Sequence, residues 1–391
     1  MTKNMTQSCQ YGSFVGANAE LYYYLCRMKM AEWSRRDDGA MIDTFAFMRF
    51  PLMVCVLLCH SFISGAMGDA DVACFAKSSF VLSKIVARVA VPNFLFISGY
   101  LFFRNVESFS TRIYCDKLKR RLRSIVLPYL LWNAVVILLY FVGQSLVPQL
   151  FSGEHTRVCD YTFVEWLQAF WRVEGTESPI NPPLWYMRNL MVMIVLSPLI
   201  YWLLKNRAVG AVFIATMLCL WLSCLPVNRM LVWLNPKVTF FFSLGAWFAL
   251  HRVEMPRFRC WVAVLGVLLY VGTIAGVLVG RGLARYISYE TAILLGAVLT
   301  MYLAHYLAGN RGWRVPKGLS DSYFFIYLFH YIPQALIIKL LLRVVGPTTN
   351  AEYFAIYFGS FAAMLVIGIL LFRILQRLLP KTTAFVLGNR V

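Results

Sequence analysis

Nine ionisable side chains fall inside stretches of this sequence that are otherwise apolar: Arg49, His60, Lys84, Arg88, Arg188, His305, His330, Lys339 and Arg343. An ionisable group among apolar neighbours is costly unless it pairs, meets water or acts on a substrate, so each is a candidate for chemistry. The first two share one run, Met48-Arg49-Phe50-Pro51-Leu52-Met53-Val54-Cys55-Val56-Leu57-Leu58-Cys59-His60. On a helix their spacing covers about 16 Å. Imidazole is the side chain that serves as a general base near neutral pH without holding a permanent buried charge; the plainer reading of His60 is a hydrogen-bonded packing histidine. A second concentration of charge is Lys117-Leu118-Lys119-Arg120-Arg121-Leu122-Arg123. It reads either as a topology signal or as a dock for a ligand with several phosphates, such as coenzyme A, because guanidinium groups bind phosphate bidentately.

The elements that must position these residues are membrane helices. Of 391 residues, 60% are hydrophobic and 14% charged, against about 25% charged in soluble domains. The mean hydropathy is +0.65. The fold class is therefore an all-α integral membrane bundle of about ten transmembrane helices. The spans are placed near 44–67, 81–103, 125–148, 184–204, 208–225, 236–250, 259–280, 288–308, 322–345 and 353–376. The formal charge of +19 could signal nucleic acid, but no nucleic-acid motif accompanies it, and the basic residues segregate by loop instead. Arg104 to Arg123, Lys205 with Arg207, Arg252 with Arg257 and Arg259, Arg311 to Lys317, and Lys381 with Arg390 share one side. That asymmetry places both termini in the cytoplasm. The chain divides into a cytoplasmic extension over 1–40, a transmembrane domain over 41–380 and a cytoplasmic tail over 381–391. Met28, Met30 and Met41 offer alternative starts to the extension.

With these spans, depth follows from the helical rise. Arg88 lies about 10 Å and Arg188 about 6 Å below the outer face, with His60 at a similar level. Three costly residues from three helices in one layer look like a site. Ser98, Gly99 and Tyr100 fall near the inner face, beside the basic loop. The spans are read as free of Asp and Glu, which counts against a proton-coupled transporter. The longest outside loop, 148–183, carries Tyr161, Phe163, Trp166, Phe170 and Trp171. They read as an interfacial anchor or as a platform for sugar rings. Of ten cysteines, most behave as small hydrophobes, such as Cys55, Cys59, Cys219 and Cys224. Cys74 and Cys159 share the outside and could form a disulfide. No metal-ligating spacing is present.

These stretches resemble the membrane acyltransferase-3 family of bacterial O-acyltransferases. Arg49, ten residues and His60 are similar to its first-helix signature. The run from Arg88 through Pro92 and Ser98-Gly99-Tyr100 to Phe103 resembles its second-helix motif. Arg120-Arg121-Leu122-Arg123, followed by Leu127-Pro128-Tyr129, is similar to its two-arginine loop, with Arg120 and Arg123 at the paired positions. Leu184-Trp185-Tyr186 looks like the start of its fourth helix, and Gly318 to Tyr323, leading into Ile326-Tyr327-Leu328-Phe329-His330, resembles its penultimate helix. The resemblance covers roughly 41–380.

It implies acyl-coenzyme A, most simply acetyl-CoA, as a cytoplasmic co-substrate with no permanently bound cofactor. It implies a glycan or lipid-linked sugar as acceptor, membrane lipids as surroundings and the bacterial cytoplasmic (inner) membrane as location. On that reading Arg49, Arg120 and Arg123, with Ser98 and Tyr100, hold the donor. His60 activates the hydroxyl or carries the acyl group, and Arg88 and Arg188 stabilise the oxyanion or place the acceptor. Trp185, Tyr186 and His330 are further candidates, with His330 about 12 Å shallower than His60 when measured from the inner face. The rival readings are a transporter or flippase of lipid-linked sugars and a structural membrane protein. Reporter fusions after Arg123 and after Lys317 are expected to report cytoplasm, and one at Gly153 the outside. An outside signal at Arg123 would invert the depth order above.

Overall fold

The computed structural model describes residues 17–67, 69, 71–106, 108–148, 157–223, 235–255 and 260–389. Gly153, Cys224, Arg229, Arg257, Arg259 and Arg390 lie outside them. Among the described residues all regular structure is helical. That is the expected response of long apolar runs whose main-chain groups must bond within the segment. Helix α1 (Ala17–His60) is followed by α2 (Ala73–Phe80), which passes through a π turn at Val81–Val86 and a 3₁₀ turn at Ala87–Val89 into α3 (Ala90–Phe103). Next come α4 (Thr111–Arg121), a π turn at Leu122–Val126, α5 (Leu127–Leu146) and the short α6 (Phe163–Ala169). Then follow α7 (Trp185–Val195), α8 (Ser197–Leu204), α9 (Arg207–Leu222), α10 (Pro236–Leu250), α11 (Cys260–Val279) and α12 (Gly282–Ala304). The chain closes with α13 (Lys317–Ser320), α14 (Tyr323–Phe329), α15 (Tyr331–Val345), α16 (Asn350–Leu378) and α17 (Pro380–Val386).

Among the described residues six helical stretches are long and apolar enough to cross a membrane, and two bent pairs raise the number to as many as eight. The expected spans at 208–225 and 236–250 fall on α9 and α10, which are apolar but shorter. Both bends have a proline cause. Pro198, at the start of α8, cannot donate to the carbonyl of Ile194, and the chain turns by 63° between α7 and α8. Pro333, in the first turn of α15, withholds the bond to Phe329, and the chain turns by 75° at His330.

The closest helix pair is α3 against α10, and glycine makes it close. A Cβ added at Gly99 would lie 2.0 Å from the Phe242 carbonyl oxygen, and one at Gly245 would lie 2.0 Å from that of Phe96. The two main chains therefore touch, as small residues permit between membrane helices. Around this seam lies the largest buried cluster, which includes Phe102, Phe103, Phe242, Trp221 and Ala246. It also takes in Leu387, so the segment read as a tail folds back onto the bundle, where the Trp132 indole donates to Val386 O at 3.4 Å.

Two expectations are corrected here. Glu290 stands inside the 288–308 span, in α12, so the spans are not free of carboxylates. It accepts from Lys237 Nζ at 3.0 Å and from Trp221 Nε1 at 2.9 Å, an ion pair closed by an indole. Cys74 and Cys159 are both free and exposed, not joined. One carboxylate in α12 barely moves the hydropathy of a span of that length.

The described part of the long loop, 157–183, is a folded cap. A capping box of Thr162 and Glu165 starts α6. Val158, Ala169 and Ile180 are buried against Val136, Ile137, Tyr140 and Ile332. Phe163 stays 78% exposed and Trp166 39%, a disposition suited to a headgroup-level anchor. The cap is clamped by Arg188, only 4% exposed. Its guanidinium donates to Trp171 O at 2.5 Å, Glu177 O at 3.0 Å and Asn189 Oδ1 at 3.3 Å, and lies over the Trp171 ring. Tyr129 adds a bond from its hydroxyl to Phe170 O.

Two outcomes follow from this packing. Gly99→Ala forces a methyl into a main-chain carbonyl, so it should lower the melting temperature in detergent by at least the shift expected for about 1–3 kcal/mol of overpacking. Unchanged melting would mean that α3 and α10 do not meet as described. Arg188→Ala removes bonds worth about 1.5–3 kcal/mol each, and trypsin should then cut sealed membranes at Arg172 faster than in the wild type. Equal cutting rates would assign the guanidinium another task.

Candidate active site

The described residues enclose a cavity of about 360 Å³ between α1, α3, α7 and α14. Arg49, Ser98, Arg121, Tyr186, Asp321 and Tyr327 give it its polar wall, and Ile97, Leu101, Phe102, Met187 and Leu190 its apolar one. Each polar group arrives for a local reason. Arg49 projects from α1 and lies 6.0 Å from the Tyr323 ring centroid. Ser98 Oγ and Tyr186 OH are 2.9 Å apart and join α3 to α7, and the same phenol donates to Phe94 O at 3.3 Å. Trp185, beside it, packs into the main core.

Some expected donor residues stand elsewhere. Residues two apart on a helix diverge by about 200°, so Ser98 and Tyr100 cannot both face the cavity. Tyr100 is buried on the other side, with its ring centroid 5.1 Å from that of Phe45. Arg120 and Arg123 are exposed, and Arg120 Nε donates to Asp116 O at 3.3 Å. The arginine of this loop that lines the cavity is Arg121. The turn from α4 into a π segment at Leu122 changes the register here, and a sequence motif carries no signal of that.

Beyond the cavity, Tyr327 is the link to a pair of histidines. Its hydroxyl donates to Pro183 O at 2.6 Å, and its carbonyl lies 2.9 Å from His330 Nδ1. The His330 and His60 ring centroids are 5.1 Å apart and tilted by 53°; Tyr331 meets the other flank of His60 edge to face at 5.2 Å. The depth arithmetic separated these histidines by about 12 Å because it assumed straight helices starting at one plane. The 75° bend at His330 is what brings them together. Gln334, one turn on, donates to Leu57 O at 2.9 Å and Ser61 Oγ at 2.8 Å, pinning the end of α1 that carries His60. Asn181 Nδ2, from the clamped loop, donates to Leu328 O at 3.3 Å on the same helix as Tyr327.

Of the expected cations, Arg88 is an exposed residue on the 3₁₀ turn before α3, and Lys84, one turn earlier, has its ammonium 4.3 Å from the Phe62 ring centroid. Arg188 spends its donors on the loop, as described, and so positions the cap rather than facing the imidazoles. Among the described residues no three metal-ligating side chains converge. Tyr327, Gln334 and Arg121 are the site residues that sequence reasoning missed. Tyr327 and Gln334 stand three residues before and four after His330, a helical spacing that could have flagged both.

The family model described as an acyltransferase domain, of the acyltransferase-3 type, matches residues 42–373. The succinoglycan biosynthesis protein ExoH of Rhizobium meliloti (strain 1021) is 28% identical over 319 residues, covering 79% of this chain and 81% of that relative. No solved structure matches. With a match that runs through α1, the cavity helices and the histidine pair, the chain belongs to the acyltransferase-3 family of membrane acyltransferases.

Proposed function

We propose that this protein is an O-acyltransferase, most simply an O-acetyltransferase, of the bacterial cytoplasmic membrane, with ten membrane passages and both termini in the cytoplasm. It takes the acyl group of a cytoplasmic acyl-coenzyme A and places it on a hydroxyl of a surface polysaccharide or of its lipid-linked precursor. The observation that carries this reading is a cavity with two arginines, Arg49 and Arg121, whose lining residue Tyr327 holds His330 through its carbonyl, with His60 against the His330 ring. Family membership supports the transfer of an acyl group, and the name of the relative, a succinoglycan biosynthesis protein, supports a polysaccharide as acceptor.

The chemistry follows from the lining. A narrow, partly apolar cavity suits an extended pantetheine arm. Arg49 and Arg121, with the exposed Arg120 and Arg123 nearby, offer bidentate donors to phosphates outside it. The thioester then lies towards Tyr327. His60 takes the proton of the acceptor hydroxyl as its oxygen attacks the thioester carbonyl. Arg88, with Lys84, offers positive charge towards the developing oxyanion or holds the acceptor beside His60. The cap clamped by Arg188 closes the acceptor side and excludes water from the reacting ester.

Membranes given labelled acetyl-coenzyme A should place label in glycan or lipid-linked sugar. His60→Ala should abolish that transfer at equal protein abundance, since general-base catalysis contributes about 10²–10⁴-fold. Arg49→Ala and Arg121→Ala should each raise the KM for the donor about tenfold, which corresponds to about 1.4 kcal/mol, and change kcat less. Near-normal labelling by the His60 variant would reject the mechanism. Transport of lipid-linked sugar without label would favour a flippase instead.

A further inference from the structure

The bend at His330 fixes the protonation pattern of that imidazole. Its Nδ1 lies 3.1 Å from Ile326 O and 2.9 Å from Tyr327 O. Carbonyl oxygens only accept, so Nδ1 carries the hydrogen and, in the neutral ring, Nε2 holds a lone pair. That Nε2 is buried, with no hydrogen-bond partner, and the residue itself is 0% exposed. A buried acceptor left unpaired is costly and calls for a proton donor that arrives with the reaction. The neighbouring ring is His60, at 5.1 Å between centroids. The neighbour on the cavity side is Tyr327, whose carbonyl holds Nδ1.

We propose that His330 is a second proton-carrying imidazole, which receives the hydroxyl proton from His60 and delivers it to the departing coenzyme A thiolate. The proposal rests on the acyl-transfer reading above. The acceptor R–OH loses its proton to His60 as its oxygen bonds to the thioester carbon. The C–S bond breaks, and its electron pair leaves on sulfur. The proton passes from His60 to His330 Nε2, and the sulfur takes it from that same nitrogen while Nδ1–H stays on its two carbonyls, giving R–O–acyl and HS–CoA, with both imidazoles neutral again. The charged intermediate is an imidazolium at His330, whose Nδ1–H is already held by two carbonyl oxygens, so it forms without reorganising its surroundings. The arrangement also solves a problem of place. The proton is released where the acceptor enters and is needed where the donor leaves, and His330 is tied to the cavity-lining Tyr327 on one side and meets the His60 ring on another.

The test separates this role from packing. In His330→Asn, the amide Nδ2 takes the place of Nδ1 and still donates to the Ile326 and Tyr327 carbonyls, but nothing replaces Nε2. Its abundance, melting temperature and donor KM should stay within about threefold or a few degrees of wild type, while kcat falls at least about 100-fold. A kcat within about threefold of wild type would overturn the relay and leave His330 a packing residue. A second readout does not depend on turnover. The chain has five histidines, so imidazole ¹⁵N spectra of labelled protein in detergent can resolve them. They should show His330 protonated on Nδ1 and bare on Nε2, with both signals moving in His60→Ala. A protonated Nε2, or signals indifferent to His60, would overturn the pairing. Wild-type membranes that label no acceptor would reject the proposed function, and the spectra would still decide whether the two rings form a pair.

Discussion

A helix that breaks inside an apolar core frees main-chain carbonyls, and in lipid only another protein donor can satisfy them. At the junction of α14 and α15 the His330 ring adds a donor to the last turn of α14, and the geometry of the site follows from it. Pro333 removes one main-chain bond and turns the chain. The last turn of α14 takes the Nδ1–H of His330 on the carbonyls of Ile326 and Tyr327, the first of which also holds the His330 main-chain N–H at 3.0 Å. That contact orients the imidazole, commits its tautomer and sets its ring against His60. A straight helix here would satisfy its own carbonyls and carry His330 to a different depth.

The partner, His60, is fixed by a complementary device. It is the last residue of α1, where helix carbonyls lack intrahelical donors. Gln334, from the helix beyond the bend, adds a donor to Leu57 O, which also takes Ser61 N at 3.0 Å, and bonds Ser61 Oγ. The bend and the end of α1 thus hold each other. Their supports are distant in sequence: the Gly99–Gly245 seam sets how close α3 comes to α10. That in turn sets where Ser98 meets Tyr186 on the cavity wall.

Cations at membrane depth divide by what their donors do. Arg188 is a fastener, since three of its bonds end on the cap and on its own neighbour. Lys237 is neutralised by Glu290. Arg49 and Arg121 face the cavity, and Arg88 is exposed on the 3₁₀ turn before α3. Two arginines at similar computed depth, Arg88 and Arg188, therefore have different work, because depth along a helix does not specify the azimuth of a side chain or the loop that reaches it.

The sequence by itself determined the membrane class, the helical fold and the acyltransferase-3 family, because apolar runs and motif residues are local properties of the chain. Arg49, Ser98 and Tyr186, singled out from the sequence, lie on regular helical stretches and line one cavity. Tertiary structure decided the rest. Tyr100 turned to the far side of α3 by helical geometry, Arg121 replaced its neighbours at a π turn, and Glu290 hid in a span whose average hydropathy it barely alters. His330 moved to His60 through a bend whose proline was visible but whose angle was not. Distances between groups on different helices depend on breaks, register shifts and main-chain contact between helices. Those are set by packing among segments far apart in the chain, and no single segment encodes them.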